Sequence, residues 1–551
     1  MNSVLTRFAA LLFCAATPLL AASFDVRSFG AKGDGRSLDT DSINRAIESA
    51  AAAGGGTVVF PAGEYLSYSI HLKSHVTLQL DAGSTLTAAE PSADLSQGYD
   101  APEPNPGTEF YEDFGHSHWH NSFIWGENLE DVAIVGPGRI FGRGLSRGLQ
   151  GRRDLLPEER NLPNKPDLSF PKAALDAIAA VKSGPFGYPG KDTLPAGVAN
   201  KAIALKNCRN VIFRDFTIFH GGHFAILATG VDNWTCDNLK IDTNRDGIDI
   251  DSCQNVRVSN CTVNSPHDDG ICPKSSYALG YPRVTENLTI TNCLVSGYDE
   301  GTLLDGTRRR EEKMVFGGGP YGRIKLGTES NGGFRNITIS NCVFDYCRGL
   351  ALESVDGALM EDITVSNITM RDVQNTPIFI RLGARLRGPQ GTTVGTARRI
   401  KIDNVVASNV TTGGILISGV PNGAIEDLSL SNIFIQYVGG GTKADGERTV
   451  PELENGYPEP SSFGTLPAWA LWARHVRNLD VHHVEFRFQK DDFRPAVVLD
   501  DVSGATFDHA KVQQSAGTPA FHLKNVSGFT VESSRGVPDT TRTGLTADEK
   551  L

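Results

Sequence analysis

The chain has 551 residues, 40% hydrophobic and 21% charged, a globular composition that excludes a disordered or fibrous protein. A net charge of −12 and a pI near 5.6 leave no basic footprint for nucleic acid. Glycine is in excess, 59 of 551 residues against an average of about 7%, with no collagen-like period, so the surplus belongs to turns. By length alone the chain would divide into three or four domains of roughly 150 residues, unless a repeat makes it one stack.

In chain order, Arg7, the apolar run Phe8–Leu20 and the small residues Ala21-Ala22-Ser23 predict a signal peptide over 1–23. That implies export to a secreted or periplasmic location. No later run is apolar enough to cross a membrane, so no membrane association is expected once the signal is removed. Beyond Cys14 eight cysteines remain, four of them directly after Asn: Cys208, Cys261, Cys293 and Cys342. This recurrence predicts one stacked interior position rather than a disulfide framework. No CxxC pair or His cluster has ligand spacing, so neither a metal nor a cofactor is expected. Next, Thr40-Asp41 reads as a helix N-cap, and Ile43, Ala46, Ile47 and Ala50 form one apolar stripe ended by Gly54-Gly55-Gly56. Such an amphipathic helix suits the open end of a solenoid.

A repeat then dominates. Its unit is polar-apolar-x-apolar-x-Asn-apolar, as in Asn255-Val-Arg-Val-Ser-Asn260-Cys and Asn336-Ile-Thr-Ile-Ser-Asn341-Cys. Further copies start at Asn287, Asp362, Arg399 and Asp427, and weaker ones at Asn128, Asn210, Asn238, Asn478 and Asn525. Each unit is two period-2 strands hinged at Asn, which tolerates the left-handed conformation and can ladder its amide onto the next coil. Gaps of 17, 32, 49 and 26 residues between successive starts from Asn238 to Asp362 exclude a fixed period. They fit coils of about 20–28 residues with insertions on one face. The expected fold is all-β: a single-stranded right-handed parallel β-helix with an N-terminal capping helix. An antiparallel sandwich would not need identical hinges at fixed offsets.

The expected layout is a β-helix over 24–535 and a C-terminal tail over 536–551. Long loops interrupt it at about 143–200, 305–322 and 439–470. The first and last of these are predicted to wall a binding cleft.

One coil is unusually acidic: Asp242, Asp246, Asp249 and Asp251, followed by His267-Asp268-Asp269. Asp246 and Asp268 lie 22 residues apart, one coil, hence on stacked rungs. Like charges held that close separate their pKa values and permit distinct acid and base roles. Asp246, Asp268 and Asp269 are therefore the candidate catalytic residues, while Asp249 and Asp251 read as turn residues.

At these residues the chain resembles glycoside hydrolase family 28, the polygalacturonase and rhamnogalacturonase family, over about 24–440. Phe24–Gly35 is similar to the opening of many pectin-degrading β-helices, and Val135–Gly142 to the family's "GxGxIxG" coil. Asn244-Arg245-Asp246 matches the "NTD" motif with Arg for Thr, and Asp268-Asp269 matches "DD". The resemblance implies Asp268 as general acid, with Asp246 and Asp269 activating water in an inverting mechanism. It also implies Asn244 and Lys274 as substrate ligands. The family's "GHG" has no counterpart. Gly322-Arg323-Ile324-Lys325 spells its "RIK" but falls one rung early, before Arg348–Glu353. Arg323 and Lys325 share a strand face and are expected to meet a substrate carboxylate jointly, and Asp299 and Glu300 to bind sugar.

The implied activity is hydrolysis of α-glycosidic bonds in galacturonate-containing pectic polysaccharide by a monomer. The altered subsite favours a rhamnogalacturonan-type or other branched pectic substrate over plain polygalacturonan, and long inserted loops that close the groove favour exo attack. Two alternatives remain: a pectic lyase, which would recruit Ca²⁺, and a non-catalytic glycan-binding β-helix.

Overall fold

The computed structural model describes residues 22–180, 194–311, 319–411 and 413–551. Residues 1–21 of the signal peptide expected over 1–23, and parts of the 143–200 and 305–322 loops, lie outside the described residues. Parallel strands dominate: one sheet has 31 strands, and a second has six, running from Ile70–His71 to Ile271–Lys274. The coils stack in register over most of their length, with shifts near Asp34–Leu38 and Ala407–Val410. One interior column runs Val256, Leu288, Ile337, Ile363, Ile400, Leu428, Leu479 through successive pairings. The core is therefore a rod of aligned β-branched and Leu side chains rather than a globule, and all seven are buried.

The hinges explain the repeat. Asn255, Asn260, Asn287, Asn292, Asn336, Asn341, Asn367 and Asn404 all have φ between 54° and 58°. Their amides ladder from coil to coil, Asn287 Nδ2 to Asn255 Oδ1 at 3.0 Å, Asn336 to Asn287 at 2.7 Å and Asn367 to Asn341 at 2.9 Å. Left-handed backbone costs an ordinary residue about 1–2 kcal/mol, which Asn offsets with its amide bonds. Asn341→Val is accordingly expected to lower the thermal unfolding midpoint by the equivalent of about 1–2 kcal/mol, and Asn341→Gly by less. Equal midpoints for the two variants would show that backbone conformation is not what Asn341 contributes.

The four Asn-Cys thiols are buried and free, as are the other four described cysteines. Each donates to the carbonyl two residues earlier, Cys261 to Ser259 at 3.2 Å and Cys342 to Ser340 at 3.2 Å, for example.

The helix Thr40–Ala52 buries Ile43, Ala46, Ile47 and Ala50. Its N-cap is Asp39, one residue before the predicted position. Asp39 makes no side-chain cap, because its carboxylate accepts from Lys32 N and Gly33 N at 2.7 and 3.0 Å. At the other end, the segment expected as a tail folds back. Thr540–Arg542 and Thr546–Lys550 pair antiparallel with Phe521–Glu532 and cover what would be a raw sheet edge.

The outward face of the six-stranded sheet and its continuation carries the chemistry. Leu227, Asp249 and Cys272 stack there, and the Ile271–Ile324 bridge sets Lys325 on the next rung, followed by Ala351. Beyond Ala351 the face turns apolar. Phe379, Leu416 and Trp472 meet Val450, Phe463 and Leu466 of the 439–470 loop in a satellite core. On the other side Trp119 packs on Ala204, Phe224 and Leu227.

Candidate active site

Between those two covers lies a cavity of about 300 Å³ lined by Asp113, Phe114, His116, His223, Arg245, Asp246, His267, Asp268, Lys274, Tyr321, Lys325 and Tyr457. That is at the small end of ligand pockets, roughly 300–1,000 Å³.

Asp246 opens the strand Asp246–Asp251 and pairs with Phe224 one rung below. Gly247 N donates to Asp269 O at 3.1 Å, which locks the two acidic rungs together. A Cβ at Gly247 would stand 2.3 Å from Gly270 O, so only glycine lets the rungs approach this closely. Asp268 and Asp269 lie in the loop between Thr262–Asn264 and Ile271–Lys274. The Asp268 carboxylate accepts from Asp269 N at 3.0 Å and is ion-paired with the Arg245 guanidinium.

The three carboxyls have different environments. Burial, with the charges of Asp268 and Asp249, pushes Asp246 well above the usual carboxylate range. For Asp269 burial works the same way, but the Lys325 and Arg323 charges outweigh it and hold the group well below that range. Lys325 Nζ is 3.0 Å from its Oδ2, and Arg323 Nε donates to Oδ1 at 2.7 Å. Asp246 therefore keeps a proton where Asp269 is ionised.

Arg323 and Lys325 are on the rung directly after Asp268-Asp269, the early position read from the motif spacing, with Arg348–Glu353 on the following rung. Both are buried against Asp269, and of the two Lys325 lines the cavity. Arg323 also reaches Glu459 at 3.2 Å, and Arg348 meets the same carboxylate at 2.8 Å. Glu459 thereby ties the 439–470 loop to the rungs of the site.

Lys274 lines the cavity as expected, but paired: 3.2 Å from Glu329 and 3.7 Å from Asp249. Asp249 is not a turn residue. It sits fully buried in mid-strand, with His116 Nε2 at 3.4 Å. Burial and the Lys274 charge oppose protonation of His116, yet Asp249 and Glu329 raise it to about 10. Asp251, also in the strand, accepts from Ser276 N and Oγ at 2.8 and 2.6 Å. Asp246, Asp249 and Cys272 each bring one possible ligand atom within 4.8 Å of the others, but the Lys274 ammonium, 3.7 Å from Asp249, already faces that carboxylate.

Asn244 is buried and does not line the cavity; its Oδ1 has no hydrogen-bond partner. Asp299 and Glu300 are also set apart. Glu300 is buried between Arg160 and His220, the latter at 3.0 Å, and Asp299 pairs with Arg309 at 2.5 Å. Both anchor loops and neither faces the cavity.

The spacing of motifs missed one wall. None of the described residues of the 143–200 loop lines the cavity; Asp113, Phe114 and His116 do. Arg387 fixes them through Asp113 at 2.8 Å. The signal available was the break in the repeat at Phe110–His120, dense in aromatic and His residues.

The family model "Rhamnogalacturonase A/epimerase, pectate lyase-like" matches residues 23–114, and "Right handed beta helix region" matches 196–309. The chain is 27% identical over 255 residues to exo-poly-α-D-galacturonosidase of Dickeya chrysanthemi, covering 44% of this chain and 40% of that one. It is 25% identical over 462 residues to a probable polygalacturonase of Vitis vinifera, covering 81% of each. Among solved structures, a hyperthermoactive exopolygalacturonase of Thermotoga maritima superposes with a TM-score of 0.59 at 19% identity, over 85% of this chain and 92% of that one. At that identity the superposition speaks for the fold alone. The coils, the order of the acidic motifs and these relatives agree: the chain is a pectin-lyase-fold protein similar to glycoside hydrolase family 28.

Proposed function

We propose that the protein is an exported glycoside hydrolase that cuts α-glycosidic bonds of galacturonate-containing pectic polysaccharide from a chain end, by an inverting acid/base mechanism. The observation that carries this reading is the meeting of Asp246 and Asp268 in one small cavity, with Asp268 ion-paired with Arg245 and Asp246 buried without a cation at ion-pair distance among the described residues. Hydrolysis needs two roles: a proton for the leaving oxygen and a carboxylate to activate water. In this arrangement Asp246 and Asp268 divide the acid and base roles between them, with burial and the neighbouring carboxyl favouring the protonated form of Asp246. Asp269, with both oxygens held by cations, acts as the fixed charge that orients the loop.

The chain-end mode rests on the covers. The 112–119 segment and the 439–470 loop cover the face on either side of the cavity, an arrangement that suits a chain end better than a continuous polymer. Digestion of homogalacturonan and of rhamnogalacturonan oligosaccharides, sampled early, is expected to release one small product from the start. A ladder of random internal fragments would overturn the chain-end mode. Products absorbing in the ultraviolet as unsaturated uronates, lost on chelation, would favour a lyase instead.

A further inference from the structure

We propose that the sugar seated against Asp246 and Asp268 is neutral, a hexose or 6-deoxyhexose carrying hydroxymethyl or methyl at C5, and not a uronate. The inference deepens the hydrolase reading and rests on it for the bond that is cut.

It follows from an inventory of charge in the cavity. Among the described residues three permanent cations line it: Arg245, Lys274 and Lys325. Each already has a carboxylate. Arg245 is paired with Asp268, Lys274 has Glu329 at 3.2 Å, and Lys325 has Asp269 at 3.0 Å. The charged His116 has Asp249 at 3.4 Å. His223 is no cation: burial and the Arg245 charge keep it neutral, and its Nδ1 is 2.8 Å from the Arg147 carbonyl, to which it donates. Asp113, Asp246 and Asp268 line the same space, and among the described residues Asp246 has no cation within ion-pair distance.

A sugar carboxylate entering here has two options. It displaces a buried carboxylate from its cation, leaving that acid charged and unpaired, or it stays uncompensated beside Asp246. Both are unfavourable, most of all at the buried Lys274–Glu329 and Lys325–Asp269 pairs and less at the half-buried Arg245–Asp268 pair. A neutral ring meets neither penalty. Its hydroxyls can bond to polar groups of the wall, and Phe114, Tyr321 and Tyr457 offer apolar surface to a ring face or a C5 methyl. The galacturonate of the polymer then lies on the leaving-group side, outside the covered end.

The test compares an oligogalacturonide with its carboxyl-reduced counterpart, which differs only in carrying hydroxymethyl for carboxylate. Alongside, D-galacturonate, D-galactose and L-rhamnose are titrated into the unmodified protein at neutral pH, with binding read by NMR. The reduced oligosaccharide is expected to be cleaved with at least tenfold higher kcat/KM, and a neutral sugar to bind at least tenfold tighter than galacturonate. Galacturonate binding as tightly as the neutral sugars, or no binding by any of the three, overturns the neutral subsite even if hydrolysis is observed. Tighter binding of a neutral sugar with neither oligosaccharide cleaved supports the subsite and removes the hydrolase reading.

Discussion

Asp246→Asn is expected to lower kcat/KM on pectic oligosaccharides by about 10²–10⁴-fold while raising the thermal unfolding midpoint at neutral pH. The two effects have one cause. Asp246 is buried next to Asp268 and Asp249, which pushes its folded-state pKa well above the value of 3.8 expected when unfolded. The native state therefore binds a proton that the unfolded chain has released. Its stability falls as pH rises from the ordinary carboxylate range toward the folded value. Asn keeps the shape and never ionises, so its advantage is absent at acid pH and grows as pH rises. Each tenfold gain in proton affinity on folding is worth about 1.4 kcal/mol, enough to move the midpoint by about 1 °C or more. The same proton governs the rate: wild-type kcat/KM should decline on the alkaline side as Asp246 ionises. Kinetics and thermal scans from about pH 4 to 8 check all three statements. Undiminished turnover in the variant would sink the catalytic assignment, and a lower midpoint at pH 7 would sink the electrostatic one.

Arg323→Met carries the second large effect, in the opposite direction on stability. Arg323 is buried and bonds Asp269 at 2.7 Å and Glu459 at 3.2 Å. Removing one partner of a buried pair leaves uncompensated charge and costs about 3–5 kcal/mol. Lys325 still faces Asp269 and Arg348 still faces Glu459, so the lower part of that range is expected, with a fall in kcat as Asp269 and the 439–470 loop lose a shared anchor. The double variant Arg323→Met/Asp269→Asn separates the contributions. It should regain much of the lost midpoint, because the orphaned carboxylate is gone, and none of the activity. A double variant no more stable than the single one would mean that Arg323 acts through packing alone.

The repeat was legible because it is local. Asn341 needs its left-handed φ and its amide partner whatever the loops do, and the interior column from Val256 to Leu479 follows from period-2 patterning within each coil. The stacking of Asp246 with Asp268-Asp269 was legible for the same reason: one coil separates them. The early rung of Arg323 and Lys325 could also be read by counting coils. What those two cations touch could not, since Glu459 is 136 residues from Arg323 in sequence.

Asp249 shows the limit of local reading in another way. Asp near Gly reads as a turn, and only the register with Leu227 and Cys272 puts it in mid-strand beneath His116 and Lys274. The solenoid, its hinges and the rungs on which the acidic residues stand all follow from the order of amino acids, because a coil's geometry is set by residues within one turn of it. Which charges are paired, and that the 112–119 segment and the 439–470 loop cover the face, follow from long-range packing instead. Those insertions have no period of their own, and they take their shape from buried ion pairs and a satellite core contributed by distant coils.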